Sequence, residues 1–472
     1  MTFYKTAVLS LDMTNTSQLL EPQKAHATKL LNSIYLNGYA VDLSDTGTGK
    51  TFSACAVAKE LNVPVVVVCP KVVIPAWKRV LESFGIKGAL VINYEKLCRG
   101  NTEWLSYDKK KFNNKKNWES DGINLHFPKN SIIILDEVHK CKGYSSINSD
   151  FLVACKNKGY KILMMSATAA TNPLEMKAFG YTANLHTGYN FTKFCSMNGA
   201  EFNRFGGMVV DMTTTKAQQG MQSVHQHLFN LQKSASRMTV DMFDGIFPDN
   251  RVIAETFDMG TNTAKINKIY EMMQEELDRL EDRSSNYSAH VFAIMMEARR
   301  KTELLKIPTF VESVENLYEE GISPVIFLNF TDSIQALETR LKLNKKLGNT
   351  IAKIVGGQSD KARQTDIDDF NSDTKRIMLV NLAAGSSGVS LHDLNGKFPR
   401  HSMLVPSFSA INLLQALGRI ARQGGMTRCI QKIVFSSGTI EERACERVQS
   451  RLDNLSSLND NDLKCGINLY RP

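Results

Sequence analysis

A glycine-bearing turn, Thr46-Gly47-Thr48-Gly49-Lys50-Thr51, and an acidic stretch, Asp136-Glu137-Val138-His139, restrict the fold of this chain more than any other feature. The acidic stretch directly follows the apolar run Ile132-Ile133-Ile134-Leu135. A turn of this kind leaves a strand and opens a helix. Its backbone N–H groups then wrap phosphates, with Lys50 reaching the outer oxygens and the Thr51 hydroxyl placed to ligate Mg²⁺. The acidic strand end supplies one carboxylate for the metal, assigned to Asp136, and a second to poise an attacking water, assigned to Glu137. Ser44 stands where the general G-x-x-x-x-G-K-[ST] pattern has its first glycine.

The rest of the chain repeats an α/β rhythm. Ser17 to Asn37 carries apolar positions at helical spacing, a short strand feeds the glycine turn, and Phe52 to Leu61 forms the next helix. Strands expected at 63–69, 89–93, 131–135 and 161–165 alternate with helical or irregular segments, as in a parallel sheet. The rhythm weakens over 186–250. Two patterned helices follow near 262–283 and 288–305, and sheet rhythm returns at 325–329, 351–355, 377–381, 403–405 and 432–435. Thr439 and Glu442 have capping-box spacing for a final helix from Ile440 past Arg451. The expected division is an ATP-binding domain over 1–250, a helical connecting region over 251–310 and a second α/β domain over 311–472.

Composition agrees with a large enzyme without a membrane segment. The longest aliphatic stretch, Val63 to Cys69, is too short to span a bilayer. Met1 to Leu11 lacks the apolar core of a secretory signal. Nine cysteines without C-x-x-C pairing argue against a zinc site and for a cytoplasmic or other intracellular reducing compartment. The net charge of +9 favours a polyanionic partner. A local lysine excess over 106–130, including Lys109, Lys110, Lys111, Lys115 and Lys116 with Phe112 and Trp118 interleaved, is either a phosphate-gripping loop or a solvated insertion.

The ordered set of motifs resembles the superfamily 2 helicases and translocases, most of all their Swi/Snf-like branch. Leu20-Glu21-Pro22-Gln23 is similar to the adenine-reading element, with Gln23 in the reading position. Cys69-Pro70-Lys71 with Trp77, and Ile92-Asn93-Tyr94-Glu95-Lys96-Leu97, resemble elements that touch a nucleic-acid strand, which implies contacts from Lys71, Trp77 and Tyr94. Asp136-Glu137-Val138-His139 resembles the family's acidic box, and Ser166-Ala167-Thr168 resembles the motif that couples hydrolysis to movement, with His139 its companion. Val325 to Phe330 resembles a further strand-contacting element through Asn329. Ala384 to Leu391 resembles another, which implies contacts from Ser386 and Ser387 and a coupling role for Gly388. Gln415-Ala416-Leu417-Gly418-Arg419-Ile420-Ala421-Arg422 is close to Q-x-x-G-R-x-x-R, with Gln415 in coupling and Arg419 and Arg422 as arginine fingers. Ala421 replaces a common histidine, and Phe408 stands where remodellers usually carry tryptophan.

The resemblance implies two RecA-like parallel-sheet domains with a helical connecting region, ATP and Mg²⁺ as cofactors, and nucleic acid as partner, DNA ahead of RNA. It implies hydrolysis when the two domains close around the γ-phosphate. The expected activity is an ATP-dependent DNA helicase or double-stranded DNA translocase, of the kind that phages and large viruses use in replication, recombination or repair within the host cell. The alternatives are an RNA-dependent ATPase and a nucleic-acid-binding scaffold with ATP as a switch. No protein partner is legible in the sequence.

Overall fold

The computed structural model describes residues 18–98, 101–108, 122–143, 146–203, 206–211, 214–243, 245–280, 287–385, 388–406, 410–439 and 441. The lysines of the 109–116 tract, Ser386, Ser387, Phe408 and, apart from Glu441, the expected last helix lie outside these residues. The chain divides into two compact units between Asp244 and Gly245.

The first unit carries strands β1 (Tyr39–Asp42), β2 (Val65–Cys69), β3 (Leu90–Asn93), the hairpin β4 (Leu105–Tyr107) and β5 (Ile123–Leu125), β6 (Ile132–Asp136), β7 (Lys161–Met165), the hairpin β8 (Ala200–Phe202) and β9 (Met208–Val210), and β10 (Ala235–Ser236). Six of them form a parallel sheet in the order β10-β1-β7-β6-β2-β3. Helices cover both faces, which is why β2 and β6 read as unbroken apolar runs. On one face Val65, Val67, Ile132, Ile134 and Leu163 pack with Leu30, Leu31, Ala54, Val57, Trp77 and Leu81 from the helices Glu21–Asn37, Lys50–Leu61 and Ile74–Ser83. On the other, Val66, Val68, Ile133, Leu135 and Met164 pack with Phe151, Leu152 and Phe179.

This sheet order sets the loops after β1, β7 and β6 side by side at one edge of the layer, the end where open α/β sheets bind ligands.

The second unit holds β11 (Asn250–Phe257), β12 (Ser323–Leu328), β13 (Ile351–Ile354), β14 (Ile377–Asn381), β15 (Arg400–Leu404) and β16 (Cys429–Ser436), all parallel, in the order β11-β16-β15-β12-β14-β13. Ile326, Leu328, Leu379, Met403 and Val434 pack with Ile266, Phe310, Val314 and Leu337 from the helices Thr261–Arg279, Ile307–Glu319 and Thr331–Leu341.

Both α/β domains are thus as expected, but the span 251–310 is not purely helical. It opens with β11, which pairs with β16 over eight positions and belongs to the second sheet. At the sheet edge Arg251 and Thr256 are exposed and Val252 and Ile253 half-buried, so the segment lacks the solid apolar run of an interior parallel strand. The helices Thr261–Arg279 and Tyr287–Leu305 follow it as expected. The weakly periodic span 186–250 also contains ordered elements: helices Phe191–Met197 and Thr215–His225, the β8–β9 hairpin and β10.

Candidate active site

The phosphate loop is built by β1 and the helix that starts at Lys50. Gly47 and Gly49 both take positive φ, 88° and 86°, a conformation glycine adopts without a Cβ penalty. Gly49 is constrained twice, because an added Cβ there would collide with Gln23 Nε2. Gln23 is 3% exposed, and its amide bridges two elements. Oε1 accepts from Leu20 N at 3.0 Å and Nε2 donates to Thr48 O at 3.0 Å. The helix start and the loop are therefore locked together through this one side chain. The Lys50 ammonium lies on the loop's own carbonyls, donating to Ser44 O and Asp45 O at 2.9 Å each. The Thr48 hydroxyl donates to Asp45 O. Thr46 and Thr51 are half-buried on the same turn.

At the end of β6 the two carboxylates sit in unequal surroundings. Asp136 receives the indole N–H of Trp77 on Oδ2 at 2.8 Å, and its backbone carbonyl accepts the Tyr94 hydroxyl at 2.9 Å. Burial, then the adjacent Glu137 charge, push the Asp136 carboxyl up to about 6, against the lowering effects of the Trp77 N–H and Lys50. Two adjacent, half-buried carboxylates beside a phosphate cradle suit a divalent cation, whose charge would offset that repulsion. Glu137 takes φ 58°, a left-handed backbone unusual for a residue with a Cβ. This turns the chain sharply off the strand.

The Glu137 carboxylate is held by the loop after β7. Ser166 Oγ donates to Glu137 Oε2 at 3.3 Å, His139 Nδ1 lies 3.2 Å from the same oxygen and 3.1 Å from Ser166 Oγ, and Thr168 N donates to Ser166 Oγ at 3.1 Å. Ser166 N in turn donates to Asp42 O at the end of β1. His139 and Ser166 thus contact the second carboxylate directly, and Thr168 braces Ser166.

Two expectations need correction. Trp77 and Tyr94 are 1% and 0% exposed, so neither offers a face to a nucleic-acid strand. Both instead hold the segment that carries Asp136. The element resemblance located their helices but not the direction of their side chains. Lys71 is exposed at the end of β2.

In the second unit Arg419 is 2% exposed, with Nη1 donating to Val389 O at 3.3 Å. Arg422 is half-buried and donates to Ser390 Oγ at 2.6 Å and Gly418 O at 2.9 Å. Gln415 is buried and Gly388 exposed, with φ 73°. Asn329 is fixed by a carboxylate that sequence reasoning missed. Glu303 accepts from Asn329 N, Asn329 Nδ2 and Phe330 N at 2.8–3.1 Å. Nothing in the local sequence of Glu303 marks it, since its partners lie on the next strand end.

A second missed feature lies beneath the phosphate loop. His26 Nε2 is 3.1 Å from Asp42 Oδ2, and His26 Nδ1 is 2.8 Å from Ser236 Oγ, all buried. Asp42 is held below the usual carboxylate range: burial alone would raise it, but His26, Lys50 and the Ser44 donor outweigh that.

Residues 17–171 match the family model described as the res subunit of type III restriction enzymes, and residues 306–424 match the helicase conserved C-terminal domain. The chain is 30% identical over 471 residues to the "Putative ATP-dependent RNA helicase L364" of Acanthamoeba polyphaga mimivirus, an alignment covering 96% of this chain and 86% of that protein. A shorter stretch is 29% identical over 140 residues to the "DNA repair and recombination protein RAD54-like" of Drosophila ananassae, covering 29% of this chain and 17% of that protein. Another is 28% identical over 153 residues to the "ATP-dependent helicase rhp16" of Schizosaccharomyces pombe, covering 30% and 17%. Among solved structures, the SWI2/SNF2 ATPase core of Sulfolobus solfataricus in complex with dsDNA aligns over 90% of this chain and 89% of its own, at 15% identity and a TM-score of 0.35.

Proposed function

The chain belongs to the helicase family of nucleic-acid-dependent ATP hydrolases, and from that membership we propose that it is a Swi/Snf-like motor that moves along duplex DNA. The observation that carries the motor reading is the contact of the second carboxylate with the loop after β7. Glu137 Oε2 lies within 3.3 Å of Ser166 Oγ and 3.2 Å of His139 Nδ1, so any reorientation of Glu137 during hydrolysis is felt by Ser166 and Thr168. The choice of DNA leans on the stretch shared with proteins named for DNA repair and recombination.

In this reading the loop N–H groups and Lys50 bind the phosphates of ATP, and Gln23 reads its base. Asp136 and Thr51 would hold Mg²⁺, which when bound neutralises charge on the phosphate oxygens. Glu137 orients the attacking water and takes its proton, held in place by His139 and Ser166. Arg419 and Arg422 are the arginine fingers, acting on charge that develops in the transition state. Among the described residues Lys71 and Asn329 are the remaining candidates for contact with the track, and Gly388 and Gln415 are candidates for coupling.

The mimivirus relative's name favours a second reading, an RNA-dependent ATPase. A side-by-side ATPase assay with duplex DNA, single-stranded DNA and RNA separates them. Duplex DNA is expected to stimulate turnover at least as well as single strands, increasingly with duplex length. Stimulation by RNA alone would overturn the DNA assignment.

A further inference from the structure

The segment that leads up to the division after Asp244 is zipped onto the front of the phosphate loop. Val41 N donates to Ser234 O at 2.8 Å, Leu43 N to Ser236 O at 3.0 Å and Asp45 N to Met238 O at 2.9 Å. Strand pairing between β1 and β10 thus continues past both strands into the loop itself. From there the side chains take over. Met238 N donates to Ser44 Oγ at 2.9 Å, and Val240 N donates to Asp45 Oδ2 at 3.1 Å. The Arg237 guanidinium donates to Asp45 Oδ1 at 2.8 Å. Ser44 is fully buried and its own N–H is held by Asp42 Oδ1. The departure from the glycine pattern therefore has a physical account, because a glycine at 44 would have no oxygen to receive the Met238 N–H.

The placement matters for two reasons. Ser44 and Asp45 are the residues whose carbonyls receive the Lys50 ammonium, so they must respond when Lys50 turns to a polyphosphate. The segment paired with them runs through Phe243 to the division between the two units at Asp244 and Gly245. Chain continuity alone then joins the phosphate loop to the start of the second unit.

We propose that Ser44, Asp45 and Arg237 are positioning residues that form a latch between the phosphate loop and the 234–243 segment, passing the nucleotide state of the loop to the second unit and so to the affinity for nucleic acid. Three bonds to side chains converge on two adjacent loop residues, and the Arg237–Asp45 ion pair among them is only partly exposed, with Arg237 at 14% and Asp45 at 30%. Such a bond holds geometry better than an exposed lysine pair would. Exchange of the Lys50 contacts for phosphate contacts shifts Ser44 and Asp45, and the shift is carried along the paired segment. Effects on the track then follow as a coupling between two binding events.

This inference rests on the reading of the protein as a nucleic-acid motor, and one titration distinguishes the two. A fluorescently labelled blunt DNA duplex is titrated with the full chain, with and without saturating non-hydrolysable ATP analogue AMP-PNP. For the wild type, AMP-PNP is expected to change duplex affinity by at least about fivefold. In Ser44→Ala and in Arg237→Gln the two affinities should agree within about twofold, whereas Arg237→Lys, which keeps an N–H donor for Asp45, should retain most of the difference. Partial loss of fold would not abolish the nucleotide effect, because AMP-PNP binds the folded chain and raises the binding-competent fraction. If Arg237→Gln does not fold, Ser44→Ala decides. A wild type without any nucleotide effect overturns the motor reading and the latch together. A wild-type effect retained in Ser44→Ala and Arg237→Gln overturns the latch alone.

Discussion

Trp77 Nε1 donates to Asp136 Oδ2 at 2.8 Å, so the indole at the first unit's core sets the orientation of the carboxylate assigned to the metal. The helix that carries Trp77, Ile74–Ser83, begins just after exposed Lys71. One helix start therefore joins the surface expected to meet a strand with the acidic end of β6.

Trp77→Phe tests this link while keeping an aromatic ring in the core. Removing the indole donor should lower kcat and weaken Mg²⁺ dependence about tenfold or more, the usual cost of losing a group that orients a ligand. A Mg²⁺ titration of ATP turnover reads it. Unchanged half-saturation and rate would show that Asp136 is held well enough by its backbone and Tyr94.

Glu137→Gln keeps the shape of the side chain but removes the proton acceptor. Hydrolysis should fall at least about a hundredfold, with nucleotide still bound. Lys50→Ala should instead lose nucleotide binding. Turnover and binding of a fluorescent ATP analogue, measured on both variants, should separate them. Wild-type turnover in Glu137→Gln would sink the base assignment.

The two arginines should differ in what else they affect. Arg422→Ala should reduce turnover on the order of a thousandfold with ATP affinity within a few fold. Arg419→Ala should add a loss of stability of about 1–3 kcal/mol, because its buried guanidinium holds Val389 O, which would lose its donor. Thermal melts beside kinetics check the difference. Equal melting temperatures would mean that Arg419 carries no structural load.

Acid should weaken the second unit through two histidines. Burial first, then Arg422 and Arg400, push His392 down to about 4, and burial, Lys432 and Arg428 do the same for His401. Each stays neutral in the fold while the unfolded chain takes up a proton near 6.5. The stability they contribute is whole above that value and lost as pH falls from 6.5 towards 4. Melting temperature should drop across this window, and the drop should be shallower in the double variant His392→Asn/His401→Asn. A slope identical to wild type would refute the assignment.

The parts of the site that could be read from sequence are the contiguous ones. Thr46 to Thr51 and Asp136 to His139 each carry their chemistry within a few residues, and the apolar runs of β2 and β6 announce interior parallel strands. Side-chain direction was less legible. Trp77 and Tyr94 sit in elements that resemble strand-contacting motifs, yet both point into the core, where aromatic area is better buried. Arg237 with Asp45 and Glu303 with Asn329 could not be found by pattern, since each pair is made only by the fold. Edge strands β10 and β11 escaped for a related reason: one is two residues long and the other is half exposed.

The eight-position pairing of β11 with β16 bears on how the protein is made. β11 is the first strand of its sheet to leave a ribosome and β16, its one neighbour in the sheet, the last, so β11 must wait, with both edges open, through synthesis of everything between them. Closing so long a loop is slow, and an unpaired strand is a template for the wrong neighbour. Arg251 and Lys432, on the two strands of this late seam, are the kind of charged side chains that discourage such pairing until the proper partner emerges.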